Sequence, residues 1–277
     1  MQISSLRKHF FQNDKVLLFV AMGFFIIAGN LNNSFKKPQL ILDKQETALN
    51  INKELLIFLS AGNKQLITDL LWVQTLLESD IGHYNKKDLN SWMYLRFLTI
   101  SFLDPRFYEN YLFGGQYLSI VKDDLLGAVD ILSKGIKHYP LDYKLRYLLG
   151  FTYFYELGDI KNGAKWLETI MDNPQAPSFI KSIVSKLKFE IDQDYDVTLL
   201  FISDLLKTTK DSYLKSRLVQ DFYAVKAERD IKCLNSKKDN CERNDANGAP
   251  YIKKNGTYTS AKNFSPFKIK IKRKSKI

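Results

Sequence analysis

The sequence predicts an all-α protein of antiparallel helix-pair repeats, with an apolar N-terminal helix before them and a small β-hairpin and basic tail after them. Three observations carry this. The chain aligns with itself without a gap at an offset of 35 residues: Pro105 falls on Pro140, Tyr108 on Tyr143, Phe113 on Leu148, Gly115 on Gly150, Asp124 on Asp159, Ala128 on Gly163, Leu132 on Leu167 and Ile136 on Met171. Apolar residues in and around those segments recur three and four apart, the period of one helix face. Asn255-Gly256 then separates two short β-type runs, Tyr251–Ile252 and Tyr258–Thr259, which is a hairpin signal.

The N-terminal segment comes first. "VLLFVAMGFFIIAG", Val16 to Gly29, is an uninterrupted apolar run. It is apolar on all sides, unlike a helix that rests one face on a core. A full membrane span needs about 20 residues. Asn30 and Leu31 lengthen the run, and Lys15 can snorkel. Two readings stay open: an uncleaved signal-anchor over 16–34, or a signal peptide cleaved after "IAG". The lack of a clear A-x-A site favours the anchor, with 1–15 as a cytoplasmic tail and the rest of the chain outside. After the apolar run "NNSFKKPQ", 32–39, is a linker, and the block 35–61 holds the end of that linker and a first helix over Leu40–Leu59, which "SAGN" breaks.

A helical domain over 62–232 follows. Gln65–Gly82 carries the stripe Leu66, Leu70, Val73 and Leu77. The helix around Trp92–Phe102 stops at Asp104, because proline disfavours α geometry in the residue before it. The two clear units are Arg106–Val121 with Leu125–Lys137, and Leu141–Leu157 with Asn162–Met171. Gly115 and Gly150 fall mid-helix, where glycine costs about 1 kcal/mol relative to alanine. That makes sense where a neighbouring helix crosses closely, with Ala128 and Gly163 facing them. Pro177–Phe189 and Val197–Thr208 form a more degenerate third pair. Asp211–Lys232, with Leu214, Leu218, Phe222 and Val225 on one face, suits a terminal cap. The last block, 233–277, holds a Cys loop, the hairpin, and "FKIKIKRKSK", either an edge strand or a disordered basic tail.

Net charge is +11, and nine Lys or Arg with no Asp or Glu lie between Lys253 and the end. The body is therefore close to neutral and has no basic stripe of the kind a nucleic-acid-binding fold shows. The two cysteines, Cys233 and Cys241, bracket "CLNSKKDNC". A disulfide is favoured if the body is exported. Two free thiols are the alternative; a metal site lacks further ligands nearby.

Helix–turn–helix units, a period near 34, small residues at set positions and a closing proline together resemble the tetratricopeptide repeat. Gly115, Leu118, Ala128, Leu132 and Pro140 carry the likeness, then Leu149, Gly150, Tyr153, Gly163, Leu167 and Pro174. It covers 105–174 and extends weakly over 62–210. The period of 35 holds one extra residue, the first-helix Trp is replaced by Tyr111 and Arg146, and Gly163 stands where Ala is usual. The segments "LSAGNKQLITDLLWVQ", "LDPRFYENYLFGGQYLS" and "DANGAPYIKKNGTYTS" are similar to those of membrane-anchored bacterial proteins of this type, and the last to the Asp-x-x-Gly…Pro-Tyr…Gly ending of some exported bacterial proteins. The resemblance implies a solenoid with a partner groove lined by first helices. Its positions here are Glu109, Leu112, Gln116 and Ser119 in the first unit, and Lys144, Tyr147, Phe151 and Phe154 or Tyr155 in the second. The aromatic positions are equally open to packing against the N-terminal or final helix.

No phosphate-binding loop, nucleophile elbow or zinc-protease motif is present in the sequence. The expectation is a non-enzymatic, single-pass protein of the bacterial inner membrane, N-terminus inside and bulk periplasmic. It would scaffold or assemble an envelope complex, such as a secretion, pilus or motility machine. Its partners would be other envelope proteins through the groove and the membrane through the N-terminal helix. No cofactor, metal, small-molecule substrate or nucleic acid is expected. The alternatives are an adaptor whose tail (Lys268, Lys270, Lys272, Arg273, Lys274, Lys276) holds anionic lipid, an acidic envelope polymer or, in the cytosol, nucleic acid, and an enzyme with an unrecognised site.

Overall fold

A computed structural model describes residues 14–34, 44–48, 50–80, 82–84, 86–236, 238 and 240–269. The chain divides into two units, Met1–Thr47 and Ala48–Ile277. The first holds α1 (Asp14–Ser34) and the single turn α2 (Lys44–Thr47). On α1, Leu18, Phe24, Phe25, Ile26 and Ile27 are all exposed. The expected full span over 16–34 is not found: among the described residues no helix is long and apolar enough to cross a membrane. The run Val16–Gly29 reaches only about 21 Å at 1.5 Å per residue, against a hydrocarbon core of about 30 Å. Asn30, Asn32 and Asn33 extend the helix without extending its apolar length.

The second unit opens with α3 (Lys53–Leu59) and α4 (Lys64–Leu77). Of the single helix expected over 40–59, residues 40–43 and 49 lie outside the described residues, and the described part holds α2 and α3 as separate helices. Asn52 starts the new helix, its Oδ1 accepting from the amide of Glu54 at 2.7 Å. Then come α5 (Trp92–Leu103), α6 (Tyr108–Ile120), α7 (Leu125–His138), α8 (Tyr143–Phe151) with a π-helical turn over Thr152–Leu157, α9 (Ile160–Glu168), α10 (Ile180–Asp192), α11 (Tyr195–Thr208) and α12 (Ser212–Asn235). Aspartates open the second helix of both clear units: Asp124 caps Gly127 at 2.9 Å and Asp159 caps Asn162 at 3.0 Å. This is why Asp recurs at that place in the self-alignment.

The contacts of the glycines show that the pairs run antiparallel. A Cβ on Gly115 would lie 2.5 Å from Leu132 Cγ, and one on Gly135 would lie 2.6 Å from Tyr111 Cβ. Moving forward on α6 thus means moving backward on α7. The second unit repeats the arrangement: Gly150 meets Leu167 and Gly163 meets Phe154. Hydrogen bonds tie neighbouring units across nearly one repeat. Tyr94 donates to Asp130 at 2.9 Å and Tyr108 to Asp142 at 3.1 Å; Ser91 likewise bonds Asp124. The first helix of the second unit ends in the π-helical turn, which Gly158 closes at φ 72°.

One core, around Trp92, Phe97, Tyr111, Leu132 and Leu149, joins α5 to α8. A second, around Leu167, Ile180 and Val184, joins the π turn to α10, and a third joins α10, α11 and α12. The C-terminal segment closes the third. Phe267 is 1% exposed and its amide donates to Glu228 Oε1 at 2.8 Å. Residues 267–269 are therefore neither edge strand nor free tail, because an aromatic anchor fixes them to the helices. β1 (Ile252–Lys254) and β2 (Thr257–Thr259) form the hairpin. Asn255 and Gly256 both have positive φ, which suits the twist of a two-residue turn.

Candidate functional site

Helix α4 is turned the opposite way from what its pattern suggests. An apolar stripe on a helix ordinarily faces the core. Here Leu66, Leu70, Val73 and Leu77 are 57%, 57%, 52% and 81% exposed, while Thr68 and Thr75 are fully buried. The threonines tolerate burial because their hydroxyls donate to carbonyls one turn back, Thr68 to Lys64 at 2.9 Å and Thr75 to Leu71 at 2.6 Å. Leu71 and Trp72 fill the rest of the inward face and pack on the first core. The inward side is thus held by Thr68, Leu71, Trp72 and Thr75, and the stripe is left to solvent. α3 adds exposed Leu55, Phe58 and Leu59.

A groove of about 610 Å³ runs between α4 and α6. Trp72 and Leu76 form one wall; Phe113, Tyr117 and Ile120 form the other, with Glu109 and Gln116 at the polar edge. Trp72 on that wall makes an edge contact with Phe107 at 5.3 Å. Phe113 and Ile120 are each 50% exposed.

Of the groove residues expected in the first unit, Glu109 and Gln116 line this groove; Leu112 packs on the first core and Ser119 is buried. The second unit's set does not form an open groove. Lys144 is exposed, but Tyr147, Phe151 and Tyr155 are half-buried and Phe154 is 3% exposed. Phe151 stacks on Tyr155 at 4.8 Å, and Tyr147 meets Phe179 edge-on at 6.3 Å. These aromatics join the second unit to the one that follows. The π turn brings Phe154 onto Gly163, so Phe154 is core and not groove. The missed groove residues are Trp72, Leu76, Phe113, Tyr117, Ile120 and Val121. The available signal was that α4 is apolar on two faces, 66/70/73/77 and 71/72 with threonines beside them.

At the other end Cys233 and Cys241 are joined by a disulfide, with their Cα atoms 5.7 Å apart. Beside it a polar cleft of about 450 Å³ is lined by Arg229, Asp230, Lys232 and Glu242 among others. Its charges answer one another: Arg229 pairs with Asp196 at 2.7 Å and with Asp230 at 2.9 Å, and Lys226 pairs with Asp230 at 2.7 Å. The "DANGAPY" segment is a clasp. Asp245 accepts from Tyr223 at 2.6 Å and from the amides of Asn247 and Ala249 at 2.9 Å, and Tyr251 donates to Asp230 at 3.1 Å. The Tyr223 hydroxyl, then the two amides, hold the Asp245 carboxyl below its usual range. Of the basic tail, Lys268 is described and exposed; Lys270, Lys272, Arg273, Lys274 and Lys276 lie outside the described residues. No group of three His, Cys, Asp or Glu side chains suited to a metal ion occurs among the described residues.

Compared with family models, curated proteins and solved structures, the chain matches none.

Proposed function

We propose that this protein is a tetratricopeptide-like scaffold of a bacterial envelope, with its helical body in the periplasm and the exposed apolar run of α1 attached to the inner membrane without spanning it, and that it works by binding other proteins. The single observation that supports this best is the outward-facing apolar surface of α4 together with the adjoining groove. A protein that bound nothing there would expose large leucines and a phenylalanine at no benefit, and contiguous exposed apolar surface marks interaction sites. The Trp72 wall and exposed Phe113 have the make-up of an anchor pocket for an amphipathic helix. The exposed apolar run of α1 supports membrane attachment, and the Cys233–Cys241 disulfide suits an oxidising compartment.

The test is site-specific photo-crosslinking in cells. A photoreactive residue at Phe113 should trap one discrete protein, while the same residue at Leu141, 88% exposed and outside the groove, should trap none. Equal trapping at both sites would sink the scaffold reading. Protease digestion of intact spheroplasts tests the location: a body that survives until lysis is not periplasmic.

A further inference from the structure

We infer that the cleft between α10 and α12 that seats Phe267 is a docking site for an extended protein segment, and that residues 264–269 of the chain itself occupy it as a displaceable competitor. The site is separate from the α4–α6 groove and does not rest on the reading of that groove.

The two helices are joined without the segment. Ser182 on α10 donates to Asp221 on α12 at 2.7 Å, and Lys186, one turn further along α10, pairs with the same carboxylate at 3.0 Å. Neither bond involves Phe267. Leu199, Ile202, Leu205, Leu214, Leu218 and Val225 supply the third core from α11 and α12. Phe267 is the one buried member of that core that no helix carries.

The segment is held as a ligand is held. Residues 260–269 form no helix or strand. Phe267 is 1% exposed, with Phe189 edge-on at 5.5 Å and Lys186 Nζ 5.3 Å from its ring centre. Two residues on, Ile269 packs on the second core, while Lys268 between them is exposed. The alternation of an extended chain thus sends both apolar side chains inward. Pro266 stiffens the backbone just before the anchor, which lowers the entropy lost on docking. The Phe267 amide donates to Glu228 Oε1 at 2.8 Å, the only hydrogen bond from residues 264–269 to the rest of the described residues. Glu228 forms no ion pair among the described residues, so its carboxylate serves that amide. Every extended segment offers such a main-chain donor; the ring socket and the Ile269 contact make the selection.

The same contacts make the segment removable. Ser265, Pro266 and Lys268 are exposed, so no other element has to move for the segment to leave. One buried ring and one main-chain bond place it at the low end of local stability, below the helices on either side. The partner that replaces it is an extended segment of the same make-up, a phenylalanine followed two residues later by an aliphatic side chain. The tether gives the resident segment a high effective concentration, so it holds such a partner off until it is displaced.

The test uses the full chain in mild detergent and a fluorescein-labelled peptide with the sequence of residues 262–271, KNFSPFKIKI. Binding is read by fluorescence anisotropy. Phe267→Ala in the chain frees the cleft and should raise the affinity for the peptide by at least about ten-fold over wild type. A peptide with alanine at the place of Phe267 should bind neither chain. Hydrogen exchange of the wild-type chain gives a reading that needs no variant: residues 264–269 should exchange faster than α10 and α12, and faster still with the peptide in excess. A Phe267→Ala chain with wild-type helical circular dichroism that binds the peptide no better overturns the inference, as does a segment that exchanges only together with α10 and α12. A wild-type dimer by light scattering that Phe267→Ala dissolves would put another copy's segment in the cleft and overturn it as well.

Discussion

Leu167 lies over Gly150 as Leu132 lies over Gly115. A Cβ on Gly150 would come within 2.8 Å of Leu167 Cγ and 3.3 Å of the Gly163 carbonyl oxygen. Gly163 is tighter still, with Phe154 Cβ at 2.5 Å and the Phe154 backbone nitrogen at 2.9 Å. Two glycines, facing each other from antiparallel helices, let the backbones of the second unit approach more closely than any side chain allows.

Alanine at either position gains up to about 1 kcal/mol of helix propensity. Overpacking costs about 1–3 kcal/mol, and at Gly163 the obstacle is backbone, which cannot rotate aside. Gly163→Ala should therefore destabilise more than Gly150→Ala, by about 2 kcal/mol against about 1. Urea unfolding curves check the order; a stabilised Gly163→Ala would mean that the helices do not cross at this point.

The orientation of α4 makes a paired prediction from neighbouring residues. Leu70 is exposed, whereas Leu71 packs on the first core. Leu70→Lys should change stability by no more than about 0.5 kcal/mol. Leu71→Lys buries an ammonium group beside Trp72 and should cost at least about 2 kcal/mol. Thermal unfolding under conditions that keep the protein monomeric separates the two. Equal costs would return the stripe to the core.

The Cys233–Cys241 bridge spans a sequence separation of 8, and loop closure of that length is worth about 2.5 kcal/mol. Directly after it, Glu242 pairs with Lys226 and also with Arg229, at 3.3 Å from the latter. Reduction should therefore loosen the loop from 236 to 245 first and leave the repeat units intact. Hydrogen exchange of the oxidised and reduced protein should differ in that loop and at the end of α12. Loss of protection throughout the helices would show that the bridge supports the whole fold.

The repeat architecture was legible because its causes are local. Asp124 and Asp159 cap, Gly115 and Gly150 permit close crossing, and Asn255-Gly256 turns the hairpin; each residue type has one dominant physical use at its place. The functional face was less legible because burial is not local. Leu66, Leu70, Val73 and Leu77 read as an ordinary stripe, and only the packing of Thr68, Leu71, Trp72 and Thr75 on α5 turns it outward. The aromatic set of α8 failed for a related reason. A π-helical turn changes the facing of Phe154 and Tyr155, and the gap-free alignment with the all-α helix of the first unit gives no sign of it. The length of α1 was misjudged because Asn30, Asn32 and Asn33 continue a helix without continuing its apolar surface.

Acid should open the C-terminal clasp before the repeats. Asp245 is held below its usual range by the Tyr223 hydroxyl and the Ala249 and Asn247 amides, and Glu242 by Lys226 and then Arg229. A carboxyl depressed by folding contributes stability that is complete above its unfolded value, near pH 4, and is lost as the pH falls through the folded value. Asp124, the cap of α7, has the opposite sign: burial raises its carboxyl, so protonation does not remove stability there. Acid therefore weakens the residues 242–251 that tie the hairpin to α12, while the α6–α7 pair is spared. Pepsin, active in this range, should cut near the hairpin below about pH 4, with the fragment covering 92–171 still intact. Tyr223→Phe removes the leading donor to Asp245 and should move that opening to higher pH. First cleavage within α6 or α7, or an opening pH unchanged in Tyr223→Phe, would show that another group controls the acid response.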